Sequence, residues 1–205
     1  MHPDVWRLLP GGASLGKGTL KKSTRGALVR SMERLVLNEE IYAETVLRAM
    51  PAAERFLWIA TADLKDMHVP VSAKRFDSVA ALWASLVRQG VEIRLIHAKE
   101  PGPRFRKDFD RFPELTKSER FERILCPRNH AKIILVDGVW AFVGSANLTG
   151  AGLGAKSPER RNFEAGFVTD SPDAIRRLME FFDALYTGDL CRNCGRRDVC
   201  PDPVE

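Results

Sequence analysis

The sequence predicts an α/β fold, a mixed β-sheet flanked by helices on both faces, and three observations carry that reading. Apolar runs of strand length alternate with segments whose apolar residues recur at helical spacing. An Asp-Gly pair joins two β-rich apolar runs, the strongest short-range sign of a hairpin. Hydrophobic residues make up 44% of the 205 residues and charged ones 29%, enough for one domain with a substantial core. No apolar run approaches a membrane span and no secretory core follows the start, so the expectation is a soluble, cytoplasmic protein without integral membrane contact.

Residues 1–37, rich in Gly, Lys and Ser ("GGASLGKGTLKKSTRG"), have little period and read as a basic, partly flexible arm. Asn38 is placed to cap a helix with Ile41, Thr45, Val46, Ala49 and Met50 at helical spacing, and Pro51 lies near its end. "RFLWIA" (55–60) reads as a buried strand. Asp77 to Gln89 is an amphipathic helix (Val79, Leu82, Trp83, Leu86, Val87) stopped by Gly90. Val91, Ile93, Leu95 and His97 alternate as a strand does, and residues 99–120 form a long polar loop broken by prolines, with room for a short helix. After the hairpin, "GAGLGAKSPERR" reads as a flexible connection and "NFEAGFV" (162–168) as a strand. Ser171-Pro172 opens a last helix with Ile175, Leu178, Met179, Phe182 and Leu185 on one side. The catalytic domain is therefore expected over 38–187, with a cysteine-containing tail at 188–205.

Seven basic side chains (Arg7, Lys17, Lys21, Lys22, Arg25, Arg30, Arg34) face only Asp4 and Glu33 in residues 1–35, which accounts for the whole net charge of +5. Such an arm is either a solvated segment or a binder of polyanion phosphates, and charge alone does not separate the two.

The hairpin "HAKIILVDGVWAFVGSAN" spans His130 to Asn147. With Asp137-Gly138 as a two-residue turn, Val136 pairs with Val139, Lys132 faces Val143 and His130 faces Ser145. His130, Lys132 and Ser145 then share one face, and Asn147 continues it if the chain stays extended. A histidine serves as nucleophile or general acid/base near neutral pH, a lysine gives a fixed positive charge, and Ser and Asn give neutral donors. Together they suit a tetrahedral oxyanion such as a phosphoryl group. No carboxylate pair suited to magnesium accompanies them, so no cofactor is expected for catalysis. Asp137, in the turn and at odd spacing from His130, is expected to brace the hairpin.

The pattern His130-x-Lys132-x4-Asp137-x6-Gly144-Ser145-x-Asn147 resembles the HKD signature of the phospholipase D superfamily, and "RRNFEAG" resembles that family's Asn-x-Glu segment with Asn162 and Glu164. The resemblance implies a phospholipase D-like domain in which His130 forms a phosphohistidine while Lys132 and Asn147 bind phosphate oxygens. Ser145 would support the phosphate site, and Asp137 and Gly144 would be structural. Glu164 would accept a hydrogen bond from the far nitrogen of His130 and fix its tautomer. The family chemistry uses two histidines. His97-x-Lys99 is no second copy, because residue 104 is Arg and no Gly-Ser-x-Asn follows; His2 and His68 have no motif around them. A single-motif member is therefore expected to form a homodimer with one shared site.

Cys191-x2-Cys194-x5-Cys200 lies in the tail and Cys126 precedes the catalytic strand, spacing that favours metal ligation over disulfides in an intracellular protein. The four resemble an iron–sulfur clip of certain exonucleases, which implies a structural [4Fe-4S] cluster, with zinc as the alternative. The first functional expectation is a metal-independent nuclease acting on DNA or RNA, to which the aromatic-basic stretch Arg104, Phe105, Arg106 and Lys107 would contribute. The alternatives are a phospholipase D or phosphatidyltransferase acting on phospholipids, and a catalytically silent nucleic-acid-binding or metal-sensing module.

Overall fold

The computed structural model describes residues 32–65, 67–72 and 75–204. Its centre is a seven-stranded sheet of order β1-β9-β8-β7-β2-β5-β6, made by β1 (Glu33–Leu37), β2 (Phe56–Thr61), β5 (Glu92–His97), β6 (Phe121–Leu125), β7 (Ile133–Val136), β8 (Trp140–Gly144) and β9 (Ala165–Thr169). β2, β5 and β6 are parallel and the rest antiparallel, so the sheet is mixed as expected. A separate ribbon, β3 (His68–Ser72) with β4 (Arg75–Ser78), was not legible in the sequence.

Central position explains the apolar runs. Leu57, Trp58, Ile59 and Ala60 of β2 are all buried because helices cover both faces there. One face packs α2 (Val79–Arg88), whose Leu86, Val87, Gly90 and Val91 close a Schellman turn: Gly90 N–H bonds Val87 C=O at 3.0 Å and Val91 N–H bonds Leu86 C=O at 3.1 Å. The other face packs α5 (Pro172–Tyr186), with Phe182 stacked 5.0 Å from Trp58 between ring centroids. That second helix covers only the centre. Leu35, Val143 and Phe167, paired across β1, β9 and β8 on the same face as Ile133, stay 50%, 37% and 53% exposed.

Several sequence expectations need correction. Of the arm, residues 1–31 lie outside the described residues, but Glu33–Leu37 is an edge strand antiparallel to β9, too short to reveal its period. Asn38 makes no side-chain cap; at φ 47° it clips the chain to Glu164, giving its N–H to Glu164 C=O (2.9 Å) and taking Glu164 N–H on Oδ1 (3.1 Å). The helix it precedes, α1 (Glu39–Tyr42), passes into a π-helical stretch over Ala43–Ala49. The long loop is ordered as α3 (Pro103–Phe109) and α4 (Pro113–Thr116). Phe105, 2% exposed, packs against Trp83 and Phe109, so it belongs to the core and is no platform for a base. The first part of "GAGLGAKSPERR" is likewise packed, with Leu153 1% exposed.

The hairpin turn forms at Asp137-Gly138, both with positive φ, closed by Val139 N–H on Val136 C=O at 3.0 Å. Val139 then bulges out of the ladder, 62% exposed, and pairing resumes at Val136 with Trp140. Asp137 sets this geometry. Its carboxylate accepts the backbone N–H groups of Glu54 (2.9 Å), Arg55 (2.8 Å) and Phe56 (2.8 Å), hanging the turn from the start of β2. Asp137→Ala leaves those donors without their acceptor and is expected to lower unfolding free energy by about 2–3 kcal/mol in urea denaturation. Asp137→Asn keeps one acceptor oxygen and tolerates the left-handed backbone, so about half that loss is expected.

Candidate active site

The bulge moves the register by one from the expected one. Lys132 lies opposite Gly144, whose N–H bonds Lys132 C=O at 3.2 Å, so Lys132 does not face Val143, nor His130 Ser145. Lys132 therefore points to the α2 side of the sheet, with Ile134 and Phe142, while Val143 and Ser145 continue the α5 side. The groups still meet, because His130 lies beyond the end of β7 and its chain is no longer bound to strand alternation. The Lys132 Nζ sits 3.0 Å from Nδ1 and 3.2 Å from Nε2 of His130 and donates to the His130 C=O at 2.7 Å. Lys132 is 7% exposed, and this burial pulls its pKa down against the opposing pull of Glu164.

Two buried polar side chains that sequence reasoning missed position this end of the hairpin. Asn129, 3% exposed, donates to Thr61 C=O (3.0 Å) and Ile96 C=O (3.3 Å) and accepts Ala131 N–H (3.1 Å). It thereby ties the His130 segment to the ends of β2 and β5. Thr61 Oγ1 donates to Asp63 C=O (2.8 Å) and accepts Leu148 N–H (2.9 Å). Asn147 Oδ1 accepts Asp63 N–H at 3.0 Å, which commits its carbonyl to the scaffold and leaves the amide N–H2 as its donor side. For Asn129 the sequence sign was its place next to His130; Thr61, far from the motif in sequence, had none.

Ser145 and Glu164 form a second group. Ser145 Oγ donates to Glu164 Oε2 and accepts Ala165 N–H at 3.1 Å, while Asn162 donates to Glu164 Oε1 at 3.0 Å. The expected bond from His130 to Glu164 is absent within one chain, because β8 and β9 hold Glu164 beside Ser145. Gly144 is required by close approach: a Cβ there would lie 2.6 Å from Ala165 O and 2.8 Å from Gly166 Cα. His97 takes no part; it is fully buried, with Nδ1 2.8 Å from Lys99 C=O.

His130 stands between two open clefts. One, of about 490 Å³, is lined by Lys132, Val143, Ser145 and Phe181; the other, of about 370 Å³, by Arg128, Asn129 and Arg196. Cationic and neutral donors thus surround an exposed imidazole, an arrangement that accepts a tetrahedral anion and places a nucleophilic nitrogen beside it. All four cysteines are free and half-buried, and Arg128 Nη1 donates to Cys194 Sγ at 3.5 Å, which lowers that thiol's pKa. Among the described residues no three His, Cys, Asp or Glu side chains stand close enough to hold a metal ion. Nor, among them, is any helix long and apolar enough to cross a membrane.

The family model described as "Cardiolipin synthase, PLD-like domain" matches residues 46–186. NucT from Helicobacter pylori is similar in structure, with a TM-score of 0.55, 15% identity, and coverage of 75% of this chain and 94% of that one. Nuc, a phospholipase D family member from Salmonella typhimurium, gives 0.54 and 17% over 75% of this chain and 93% of its own. TrmBL2, an archaeal chromatin protein described as showing a novel mode of DNA binding, gives 0.53 and 12% over 78% of this chain and 54% of its own. No curated protein matches.

Because Lys132 is desolvated, its positive charge is lost at lower pH than an ordinary lysine's. Sulfate, which keeps its charge throughout, is therefore expected to bind by calorimetry up to an alkaline limit below the usual lysine range. Lys132→Met is expected to weaken binding about tenfold or more near neutrality.

Proposed function

The chain belongs to the phospholipase D-like family, and on that premise we propose that it is a nuclease-type phosphodiesterase whose site is completed by a second copy of itself. His130 attacks phosphorus and forms a phosphohistidine while the P–O bond to the leaving oxygen breaks. The second copy's His130 gives that oxygen its proton, then takes one from a water molecule that attacks phosphorus and releases the first imidazole. Lys132 and the Asn147 amide stabilise the charge on the non-bridging oxygens, a role that needs no metal ion.

The observation that carries this reading is the contact between Lys132 and His130 at the mouth of a cationic cleft. Arg128 and Arg196 there suit the backbone of a polyanion. The dimer is supported by the uncovered half of the sheet, where Leu35, Leu37, Val143 and Phe167 remain exposed, with Phe163 95% exposed just before β9. This apolar face runs directly into Ser145 and the cleft beside His130, so a copy seated on it buries the patch and brings its own imidazole to the same place. A lipid surface is the competing occupant of that face.

Cleavage of DNA or RNA in EDTA is expected, with His130→Ala lowering it about 10⁴-fold or more. Headgroup release from phosphatidylcholine vesicles, without nucleic-acid cleavage, would replace the nuclease reading with the lipid one. In mixtures with His130→Ala chains, a shared site makes activity follow the square of the wild-type fraction, whereas independent sites make it linear. Phe167→Asp is expected to yield monomers in analytical ultracentrifugation and to abolish cleavage.

A further inference from the structure

We propose that Cys126, Cys191, Cys194 and Cys200 form a thiolate site for a structural metal centre, zinc or an iron–sulfur cluster, that fastens the tail beside the catalytic cleft. The tail has little apolar packing to hold it. Leu190 and Val199, its large apolar side chains before the last residues, are 49% and 78% exposed, so it buries no apolar core of its own. From 191 to 200 the residues that turn inward are Cys191, Cys194, Arg197 and Cys200, while those between them are exposed. A chain of turns produces this period: Cys194 N–H bonds Cys191 C=O (3.1 Å), Arg197 N–H bonds Cys194 C=O (3.1 Å), and Cys200 N–H bonds Arg197 C=O (3.2 Å). Inward positions that would be leucines in a self-supporting segment are cysteines here. Segments too small for a core commonly use a metal instead.

The fourth thiol is brought to them from the body of the domain. Arg128, two residues past Cys126 in the turn closed by Asn129 N–H on Cys126 C=O (2.8 Å), reaches the Cys194 sulfur at 3.5 Å. Asp202, two residues past Cys200, accepts the N–H of Leu125, immediately before Cys126, at 3.0 Å. The tail is therefore laid over the Cys126 turn from both sides of Cys200, and no disulfide consumes any of the thiols. Among the described residues no three such side chains stand close enough together to hold an ion. Deprotonation and ligation would draw them together, releasing protons as the tail closes. The same closure would hold Arg196 in the cleft next to His130.

The test is metal analysis of the full chain purified anaerobically, which does not depend on catalysis. One zinc per chain is expected, or iron with matching acid-labile sulfide and a broad visible absorption. Cys126→Ser and Cys194→Ser should each lower the metal about tenfold or more with unchanged circular dichroism. In the wild type, chelator treatment should expose Arg192, Arg196 and Arg197 to trypsin. Metal below about a tenth of an equivalent, both as purified and after reconstitution with zinc or with iron and sulfide, overturns the proposal. So does undiminished metal in the serine variants, or tail cleavage that is indifferent to chelation.

Discussion

The position of the motif hairpin depends on one carboxylate at the end farthest from His130. Asp137 receives three consecutive N–H groups of residues 54–56, which would otherwise enter β2 without partners. A left-handed turn held in this way forces Val139 out of the ladder, and that bulge decides which residues of β8 lie opposite β7. The open end is fixed by different means. Asn129 satisfies the carbonyls of Thr61 and Ile96 where the parallel strands β2 and β5 stop, and the Thr61 hydroxyl joins Asp63 C=O to Leu148 N–H. The apolar ribbon is thus pinned at both ends by polar groups, and Lys132 and His130 meet at its open end.

Burial serves two purposes that oppose each other at Lys132. Removing the ammonium from water strengthens whatever interaction it makes with an anion, and it also disfavours the charge that makes that interaction. Glu164 offsets part of the cost from across β8, through space and without a direct bond. The carboxylate is in turn fixed by Ser145, Asn162 and its backbone clip to Asn38. The motif residues are therefore not one constellation. His130 and Lys132 pair on the β7 side and Ser145 and Glu164 on the β9 side, across the close approach of Gly144 to Gly166, while Asn147 is bonded separately to Asp63.

Period and punctuation made much of this legible from sequence. The run at 55–60, the α2 stripe with Gly90, and Ser171-Pro172 ahead of α5 all became the elements they signalled, because local propensity and burial agree there. Register was not legible, since nothing in "VDGVW" says that Val139 will be expelled; the cause is Asp137's bonding to residues more than 80 positions away. Phe105 was misread because a core aromatic on a short helix has the same neighbours in sequence as one on a nucleic-acid loop. β1 and β6 escaped because edge strands are half-polar, and the Asn129 and Thr61 roles because a polar residue's partners are set only by tertiary contacts.

Electrostatics acts on two length scales. The excess positive charge of the chain lies within residues 1–35, and the remainder carries 25 basic and 25 acidic side chains. That remainder carries no net charge, and the cations that line its clefts beside His130 are Lys132, Arg128 and Arg196. Many of the other arginines are spent in surface pairs, such as Arg88 with Glu114 and Arg176 with Asp173 and Glu180. Short-range cations of this kind orient a phosphate once it has arrived and do little to gather one from a distance beyond the screening length. In the proposed nuclease, positioning of the scissile phosphate falls to these local charges, and one of them, Arg196, belongs to the cysteine tail. Whatever holds that tail in place consequently bears on the geometry of the site as well as on the stability of the fold.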